Sequence, residues 1–377
     1  MSNRSGATIT GKANSSVERN SGRKVAVIGA GSWGTTFAKV LADAGCDVTM
    51  WARRPEVANE IQVARRNSQY LPGINLPKSL HATDDLAVAL RGARLVFLAV
   101  PSQTLRQNLI DLEPYLERTS VLVSLVKGIE KTTTMRMSEV IADTLDLGPE
   151  RIAVVSGPNI ALEIAKEQPT GAVASCTDLG VAQEVATAAS APYFRTYVNT
   201  DVVGTELGGV LKNLIALAIG IVDGVGYGEN TKAAIITRGL AEMTEFSIAS
   251  GADPVTLSGL AGLGDLIATC QSPLSRNNTA GRLIGQGYTQ EETREQMQQV
   301  AEGITSVPPV LELARERGIV MPIVEQVQMV LSGSMLPKNL GPHLATEDGV
   351  PQAELSVVAP QPGRLKRFFG RMRGTGA

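Results

Sequence analysis

The amino-acid sequence predicts an α/β fold in its first half and an all-α fold in its second half. Continuous apolar runs such as 95–100, 121–126 and 152–155 are typical of parallel strands that are covered by helices on both faces. From Asp201 onward these runs are replaced by apolar residues at helical spacing. With 377 residues and 43% hydrophobic residues, the chain can bury the cores of two domains.

A glycine-rich turn follows the first predicted strand. The apolar run 24–29 leads into GAGSWG (29–34), which is followed by a helical pattern over 35–44 and a second strand over 47–51. The order strand, G-x-G-x-x-G, helix, strand is that of the first βαβ unit of a Rossmann-like domain. The N-terminal half is therefore predicted to bind a dinucleotide.

Each glycine of this turn has a separate physical role. Gly29 makes the tight turn, Gly31 lets the backbone approach a pyrophosphate, and Gly34 lets helix and strand pack closely. Trp33 lies at the same turn, where we expect it to cover the cofactor, although simple packing is the alternative.

The end of the second strand bears on the choice of cofactor. A site for NAD usually has an acidic residue here for the ribose 2′-hydroxyl, whereas this chain has Arg53 and Arg54. Two guanidinium groups suit a 2′-phosphate, so NADPH is predicted, with NADH possible. The alternative is an ordinary solvated basic turn.

Polar turns follow the later strands. Because ligands of parallel sheets bind beyond the carboxyl ends of the strands, Lys127 is a candidate cation of the cleft. Its alternative is an exposed loop lysine. Gly157 and Asn159 lie in the next such turn.

Lys212 lies within 207–222, a segment that is apolar on every side and predicts a buried helix. A lysine in such a helix extends its stem to solvent, loses its proton, or finds a partner in a site. The chain has two histidines, His81 and His343, neither with a nearby ligand cluster, so we expect neither a metal site nor a histidine base. Proton chemistry would then fall to a lysine or a carboxylate.

A second group of candidate residues follows. The glycine-dense segment 259–266 surrounds one carboxylate, Asp265, which is either a helix N-cap or a site residue. Ser275, Arg276 and Asn277 stand at a predicted helix start, where backbone N–H groups, the helix dipole and a guanidinium can bind a phosphate. A capped helix with an exposed arginine is the alternative. Together these groups suggest hydride transfer to the carbonyl of a small phosphorylated ketone.

Composition excludes several classes of function. With 35 basic and 37 acidic residues, the net charge of −2 gives no electrostatic case for nucleic acid. Cys46, Cys176 and Cys270 lack CxxC spacing, which fits a reducing, cytoplasmic location. The apolar segment 207–222 is too short for a membrane span and is interrupted by Lys212, so no membrane insertion is expected.

We expect four segments along the chain. Residues 1–22 form a disordered N-terminal extension, for which a transit peptide is the alternative, and 23–200 form the Rossmann-like NAD(P)-binding domain. Residues 201–336 form an all-helical substrate and catalytic domain, and 337–377 form a flexible basic C-terminal tail.

Over residues 24–332 the chain resembles the NAD(P)-dependent glycerol-3-phosphate dehydrogenases of the bacterial type. The matching stretches are GAGSWGTTFA (29–38), YLPGINLP (70–77), VPS (100–102), KGIE (127–130), SGPNIALE (156–163), the long stretch 206–243, GLAGLGDLIATC (259–270), SRN (275–277), VAEG (300–303) and MPI (321–323). The resemblance implies reduction of dihydroxyacetone phosphate to sn-glycerol 3-phosphate for phospholipid synthesis, and we expect a homodimer.

The resemblance also implies roles for individual residues. Lys212 matches the lysine that exchanges a proton with substrate, and Lys127 and Asp265 complete the catalytic set. The implied substrate contacts are Lys127, Gly157, Asn159, Lys212, Asp265, Ser275, Arg276 and Asn277. The implied cofactor contacts are Gly29, Gly31, Ser32, Trp33, Gly34, Arg53, Arg54, Lys127, Ala161, Arg276, Val300 and Glu302. Asn159 and Glu229 depart from the Ser or Thr and the Asp that are usual in the family. The alternatives are another reductase of a small hydroxyacid or sugar derivative, and a non-catalytic NADPH sensor.

Overall fold

The computed structural model describes residues 20–297 and 301–341, and its first part is built on one eight-stranded sheet. The strand order is β3-β2-β1-β4-β5-β6-β7-β8. The strands are β1 (Lys24–Ile28), β2 (Asp47–Trp51), β3 (Leu80–Thr83), β4 (Leu95–Leu98), β5 (Val121–Ser124), β6 (Ile152–Ser156), β7 (Thr170–Ser175) and β8 (Phe194–Asn199).

Two features of this sheet differ from the sequence-based prediction. The strands pair in parallel except β6 and β7, which are antiparallel, with Val154 opposite Ser175. The apolar pattern of a strand does not encode its direction, so this reversal was not predicted. Strand β3 was missed because its four residues, LHAT, carry no apolar run.

Helices cover both faces of the sheet, as predicted. They are α1 (Ser32–Asp43), α2 (Pro55–Asn59), α3 (Leu86–Leu90), α4 (Leu105–Leu112), α5 (Met137–Leu145), α6 (Ala161–Ala165) and α7 (Leu179–Ala188). Each face has its own apolar core, one around Phe37 and Phe97 and the other around Leu98 and Leu122. Helix α1 begins at Ser32, inside the glycine-rich turn, rather than at residue 35 as predicted.

Beyond β8 the described chain is helical. The helices are α8 (Val202–Val225), α9 (Glu229–Ala249), α10 (Pro254–Leu257), α11 (Asp265–Gln271), α12 (Arg276–Gly285), α13 (Gln290–Gln296), α14 (Glu302–Glu316) and α15 (Pro322–Leu331), and a π-helical turn (Leu260–Gly264) precedes α11. Helix α8 lies at the centre of this part and packs against most of the others. The predicted α/β part followed by a helical part is confirmed.

Helix α8 is longer than predicted. The Asp201 carboxylate accepts a hydrogen bond from the Gly204 N–H at 2.8 Å, and Gly226, with φ of 98°, ends the helix. Its 24 residues have a mean hydropathy of 1.6 over the most apolar window, so length and composition alone would allow a membrane span, contrary to the expectation above. Because 83% of that window is buried inside the protein, α8 is a core helix.

Glu206 joins α8 to helix α5. Its carboxylate accepts hydrogen bonds from Ser138 N at 2.9 Å, Ser138 Oγ at 2.6 Å and an Arg136 guanidinium nitrogen at 2.9 Å. The Glu206 side chain is fully buried, and burial raises its pKa while the Arg136 charge opposes that rise. The start of the central helix is thus fixed to the start of α5.

Replacing Glu206 with alanine is expected to lower the free energy of unfolding by ~3–5 kcal/mol, because it leaves the Arg136 charge without its buried partner. Glu139 also pairs with Arg136 at 2.7 Å but is half-exposed, so Glu139→Ala should cost only about 1 kcal/mol. Urea unfolding of both variants measures the difference. Equal losses would contradict a special role for Glu206.

Parts of the two predicted terminal segments are described. Asn20 is buried, and its side-chain amide donates to Ala44 O at 3.0 Å and Thr187 O at 2.9 Å. At the other end, Tyr227 Oη donates to Lys338 O at 2.8 Å, and Leu340 is buried. Residues 1–19, 298–300 and 342–377 lie outside the described residues, so the proposed extension and tail, with His343, stay predictions.

Candidate active site

A cavity of about 690 Å³ lies where the carboxyl ends of the central strands face helices α8 and α12. Its lining includes most of the residues that the sequence singled out. They are Gly29, Gly31, Ser32, Trp33, Gly34, Arg53, Arg54, Lys127, Asn159, Ala161, Lys212, Ser275, Arg276, Asn277 and Glu302. Gly157 and Asp265 lie behind this lining, and Val300 lies outside the described residues.

The glycine-rich turn leaves space over its backbone. Gly29 has φ of 112°, and a Cβ atom there would lie 2.6 Å from Ala99 O. A Cβ atom on Gly34 would lie 3.0 Å from the Ala99 Cβ and would overlap the Gly29 carbonyl. Gly31 has no atom within 4 Å of its Cβ position, so the space above it is open to a ligand. This space lies at the N-terminus of α1, where a phosphate is favoured.

Two side chains of the lining carry buried polar atoms that have no hydrogen-bond partner among the described residues. They are the Trp33 indole nitrogen and both polar atoms of the Asn159 amide. The Trp33 ring also packs edge-on against Phe37 at 5.3 Å. Because buried polar groups are normally paired, these atoms fit a site that is completed by bound molecules.

The two arginines after β2 differ in their surroundings. Arg54 donates to Gln69 Oε1 at 2.6 Å and to Tyr70 Oη at 3.2 Å, and its guanidinium lies 5.6 Å from the centre of the Tyr70 ring. Arg53 is exposed and has no hydrogen bond or ion pair within the described part of the chain. Gln69 and Tyr70 were missed as site residues, since nothing in their local sequence marks them.

One carboxylate bridges the two candidate lysines. Asp265 Oδ2 accepts from Lys127 Nζ at 2.6 Å, and Asp265 Oδ1 accepts from Lys212 Nζ at 3.0 Å. The Asp265 side chain is only 1% exposed. The N-cap position of α11 is occupied by Gly264, so the interpretation of Asp265 as an N-cap is wrong.

Lys212 does not extend to solvent. Its Nζ also donates to Thr269 Oγ1 at 2.6 Å, and its side chain is 9% exposed. Burial lowers the pKa of Lys212 to about 8; the charge of Asp265 opposes this shift, and the nearby Lys127 charge adds to it. Thr269 was missed, although its position four residues after Asp265 places both side chains on one face of α11.

Lys127 also makes a hydrogen bond to the backbone of Gly157. Its Nζ donates to Gly157 O at 3.1 Å, and Gly157 has φ of 140°, a conformation that favours glycine. Gly157 therefore orients a lysine through its carbonyl, and Asp265 does so through its carboxylate.

The start of α12 faces the same cavity. Ser275 is its N-cap and accepts from Asn278 N at 3.3 Å, and Arg276 is its first residue. Asn277 donates through its amide nitrogen to Asn213 Oδ1 at 2.8 Å. Asn213, the neighbour of Lys212 and a cavity residue, carries no sequence signal and was missed.

Glu302 joins the helical part to the sheet at the edge of the cavity. Its carboxylate accepts from Ser102 Oγ at 2.7 Å, four residues after the end of β4. The cavity is thus lined by an open glycine turn, a Lys-Asp-Lys cluster and a helix N-terminus with an arginine. This arrangement can bind a dinucleotide beside a small anion and can give a proton to that anion.

Comparisons with known proteins agree with this geometry. The family model described as NAD-dependent glycerol-3-phosphate dehydrogenase N-terminus matches residues 24–182, and the model described as its C-terminus matches residues 201–341. The chain is 66% identical over 365 residues to a glycerol-3-phosphate dehydrogenase [NAD(P)+] of Leifsonia xyli subsp. xyli, covering 93% of this chain and 98% of that relative. A protein of the same name from Streptomyces griseus is 56% identical, over 87% of this chain and 98% of that relative.

A solved structure agrees as well. The crystal structure of glycerol-3-phosphate dehydrogenase from Coxiella burnetii is 34% identical, covers 86% of this chain and 99% of its own, and superposes with a TM-score of 0.82. The resemblance seen in the sequence is confirmed: the chain belongs to the NAD-dependent glycerol-3-phosphate dehydrogenase family.

Proposed function

We propose that the protein reversibly reduces dihydroxyacetone phosphate to sn-glycerol 3-phosphate, with NADPH as the preferred cofactor and Lys212 as the proton donor and acceptor. The observation that carries this proposal is the Asp265 carboxylate between Lys127 and Lys212, in a cavity that also contains the Arg276 helix start. The three cations, Lys127, Lys212 and Arg276, suit a phosphorylated ketone whose oxygen becomes an alkoxide during the reaction.

The cofactor is proposed to bind along the glycine-rich turn. The open space above Gly31 and the N-terminus of α1 suit its pyrophosphate, and Trp33 and Ala161 border the same space. Arg53 and Arg54 are placed for a 2′-phosphate, and Lys127, Arg276 and Glu302 border the same cavity. Val300, outside the described residues, stays a contact proposed from the sequence. When bound, the reduced nicotinamide supplies the hydride.

The substrate phosphate is proposed to bind at the start of α12. Ser275 shapes this start as its N-cap, Arg276 offers a bidentate guanidinium, and Asn277 is held by Asn213. The unpartnered Asn159 amide can hydrogen-bond the remaining oxygens of the substrate.

Lys212 is proposed to give its proton to the developing alkoxide. A pKa of about 8 leaves it protonated at pH 7 and lowers the cost of releasing the proton. Asp265 favours the charged form, and Thr269 accepts a second N–H, which fixes the rotamer of the lysine. Lys127 adds a second positive charge near the reacting oxygen.

The test is a spectrophotometric assay of the purified protein with NADPH and NADH against phosphorylated and unphosphorylated ketones. We expect nicotinamide oxidation when dihydroxyacetone phosphate is added. Activity with an unphosphorylated hydroxyacid precursor or a sugar derivative instead would favour the alternative reductase. Cofactor binding without turnover of any ketone would favour the non-catalytic sensor.

Replacing Arg53 with alanine is expected to raise KM for NADPH by ~10-fold or more while changing KM for NADH by less than ~2-fold, as for one lost charge-assisted phosphate contact. Arg54→Ala should raise both values, because Arg54 also packs on Tyr70 beside the cavity. Arg91→Ala, an exposed arginine before β4, is the control. Steady-state kinetics with each cofactor provide the measurement, and equal changes for NADPH and NADH in Arg53→Ala would refute the 2′-phosphate role.

The product would supply the backbone of glycerophospholipids, and we place the enzyme in the cytoplasm as a homodimer. The reducing location is supported by the cysteines, since Cys46, Cys176 and Cys270 are all free and buried.

A further inference from the structure

Four glycines form the contact between helices α8 and α12. Gly220 and Gly224 lie four residues apart on α8, and Gly281 and Gly285 have the same spacing on α12. We call these four residues the glycine seam. Glycine in a helix interior costs ~1 kcal/mol relative to alanine, so Gly220 and Gly281, which lie inside their helices, require a packing reason.

The reason is direct contact between the two backbones. A Cβ atom on Gly281 would lie 2.9 Å from Gly220 Cα and would overlap the Leu217 carbonyl. A Cβ atom on Gly285 would lie 3.0 Å from Gly224 Cα and would overlap the Ile221 carbonyl. The glycine seam therefore consists of two equivalent contacts, Gly220 with Gly281 and Gly224 with Gly285. Neither contact has room for a methyl group.

The contact between Gly220 and Gly281 is the part of the glycine seam that lies nearer to the proposed substrate site. Helix α12 starts at Arg276, five residues before Gly281, and α8 carries Lys212. At this end the Asn277–Asn213 hydrogen bond of 2.8 Å joins the same two helices. The seam and this bond together fix where the proposed phosphate site stands relative to the proposed proton donor.

Asn278 extends this arrangement to a third helix. Its amide nitrogen donates to Cys270 O at 3.0 Å, near the end of α11, and its Oδ1 accepts from Arg282 at 3.0 Å. Helix α11 carries Asp265 and Thr269, the two partners of Lys212. Asn278 thus connects the helix of the phosphate site with the helix that orients the lysine.

We propose that the glycine seam, with Asn278, positions the phosphate-binding end of α12 relative to Lys212. Gly220, Gly281 and Asn278 are then positioning residues, which act on the substrate through Arg276 and Lys212. This inference rests on the proposed function.

The test compares Gly281→Ala with Gly285→Ala. Both place a methyl group against a carbonyl of α8, but Gly281 is one turn closer to Arg276. A displacement of about 1 Å can cost ~10²-fold in rate, so Gly281→Ala should lower kcat/KM for dihydroxyacetone phosphate by ~10–100-fold, mainly through KM. Gly285→Ala, at a similar loss of Tm, should lower it by less than ~5-fold.

Two further readouts separate positioning from stability. In all variants the Kd for NADPH should change less than KM for dihydroxyacetone phosphate, since most of the proposed cofactor contacts lie on the glycine-rich turn and after β2. Gly228→Ala, whose Cβ position is open, should match the wild type. If Gly281→Ala does not fold, Asn278→Ala replaces it. We expect a ~10-fold rise in KM, which corresponds to about 1.4 kcal/mol for the lost hydrogen bond from Asn278 to Cys270 O, the bond that joins α12 to α11.

The outcomes distinguish the two proposals. The positioning role would be overturned if Gly281→Ala and Gly285→Ala lost activity in the same proportion to their loss of Tm. An unchanged KM in Asn278→Ala would overturn it as well. A wild-type protein that does not reduce dihydroxyacetone phosphate would instead overturn the proposed function.

Discussion

Replacing Lys212 with alanine is expected to lower kcat for the reduction of dihydroxyacetone phosphate by at least ~10²-fold, the usual contribution of a general acid. The Kd for NADPH should change little, because Lys212 lies on α8, whereas the glycine-rich turn joins β1 to α1. Lys232→Ala is the matched control, since Lys232 belongs to the same helical part but pairs with Asp223 and Glu229. Steady-state kinetics and a fluorescence titration of NADPH measure both quantities.

The pH profile gives the same residue a second test. The pKa of Lys212 is lowered to about 8, so kcat/KM for reduction should fall above pH ~8 as the proton donor is lost. In the direction of oxidation, where the neutral amine accepts a proton, activity should rise through the same pH. A Lys212→Ala variant with wild-type kcat and the same profile would assign Lys212 a structural role only.

Replacing Asp265 with asparagine is expected to lower kcat at pH 7 by ~10-fold or more, because Lys212 then loses the charge that favours its protonated form. The Lys127 charge remains and continues to lower the pKa of Lys212. The alkaline limb of the reduction profile should therefore move to lower pH, and activity should partly return in acid.

Profiles of kcat/KM from pH 5 to pH 10, chosen as about two to three units on either side of the expected transition, measure this shift. Asp253→Asn is the control, since Asp253 is the N-cap of α10 and asparagine caps a helix equally well. An Asp265→Asn profile that coincides with the wild type would show that Asp265 does not set the ionisation of Lys212.

The local sequence was sufficient to predict those strands and helices whose ends are marked by neighbouring residues. Strand β2 was predicted at its observed bounds, Asp47–Trp51, because apolar residues and a glycine stop define it. The ends of α8 were missed by several residues, since Gly204 and Thr205 look like turn residues but are buried against neighbouring elements. Tertiary packing decided those positions, and it also decided the direction of β7.

Local sequence marked the charged residues of the candidate site one by one, whereas the expectation that they form one catalytic set came from the family resemblance. Lys127 was marked by its position at a strand end, and Lys212 by its place in an apolar helix. Their common partner, Asp265, is 138 residues from Lys127 and 53 residues from Lys212 in the sequence. No local pattern encodes such distances. Asn213 has a role only because Asn277 faces it from another helix.

The position of α8 at the centre of the helical part has a consequence for motion. Residues 204–222 are buried almost without interruption, so their amide protons should exchange with solvent only when the whole protein unfolds. The proposed proton donor is therefore carried by the most protected part of the chain. The Glu206 contacts hold the start of this protected helix against the start of α5, so the proton donor and the α/β part share one buried anchor.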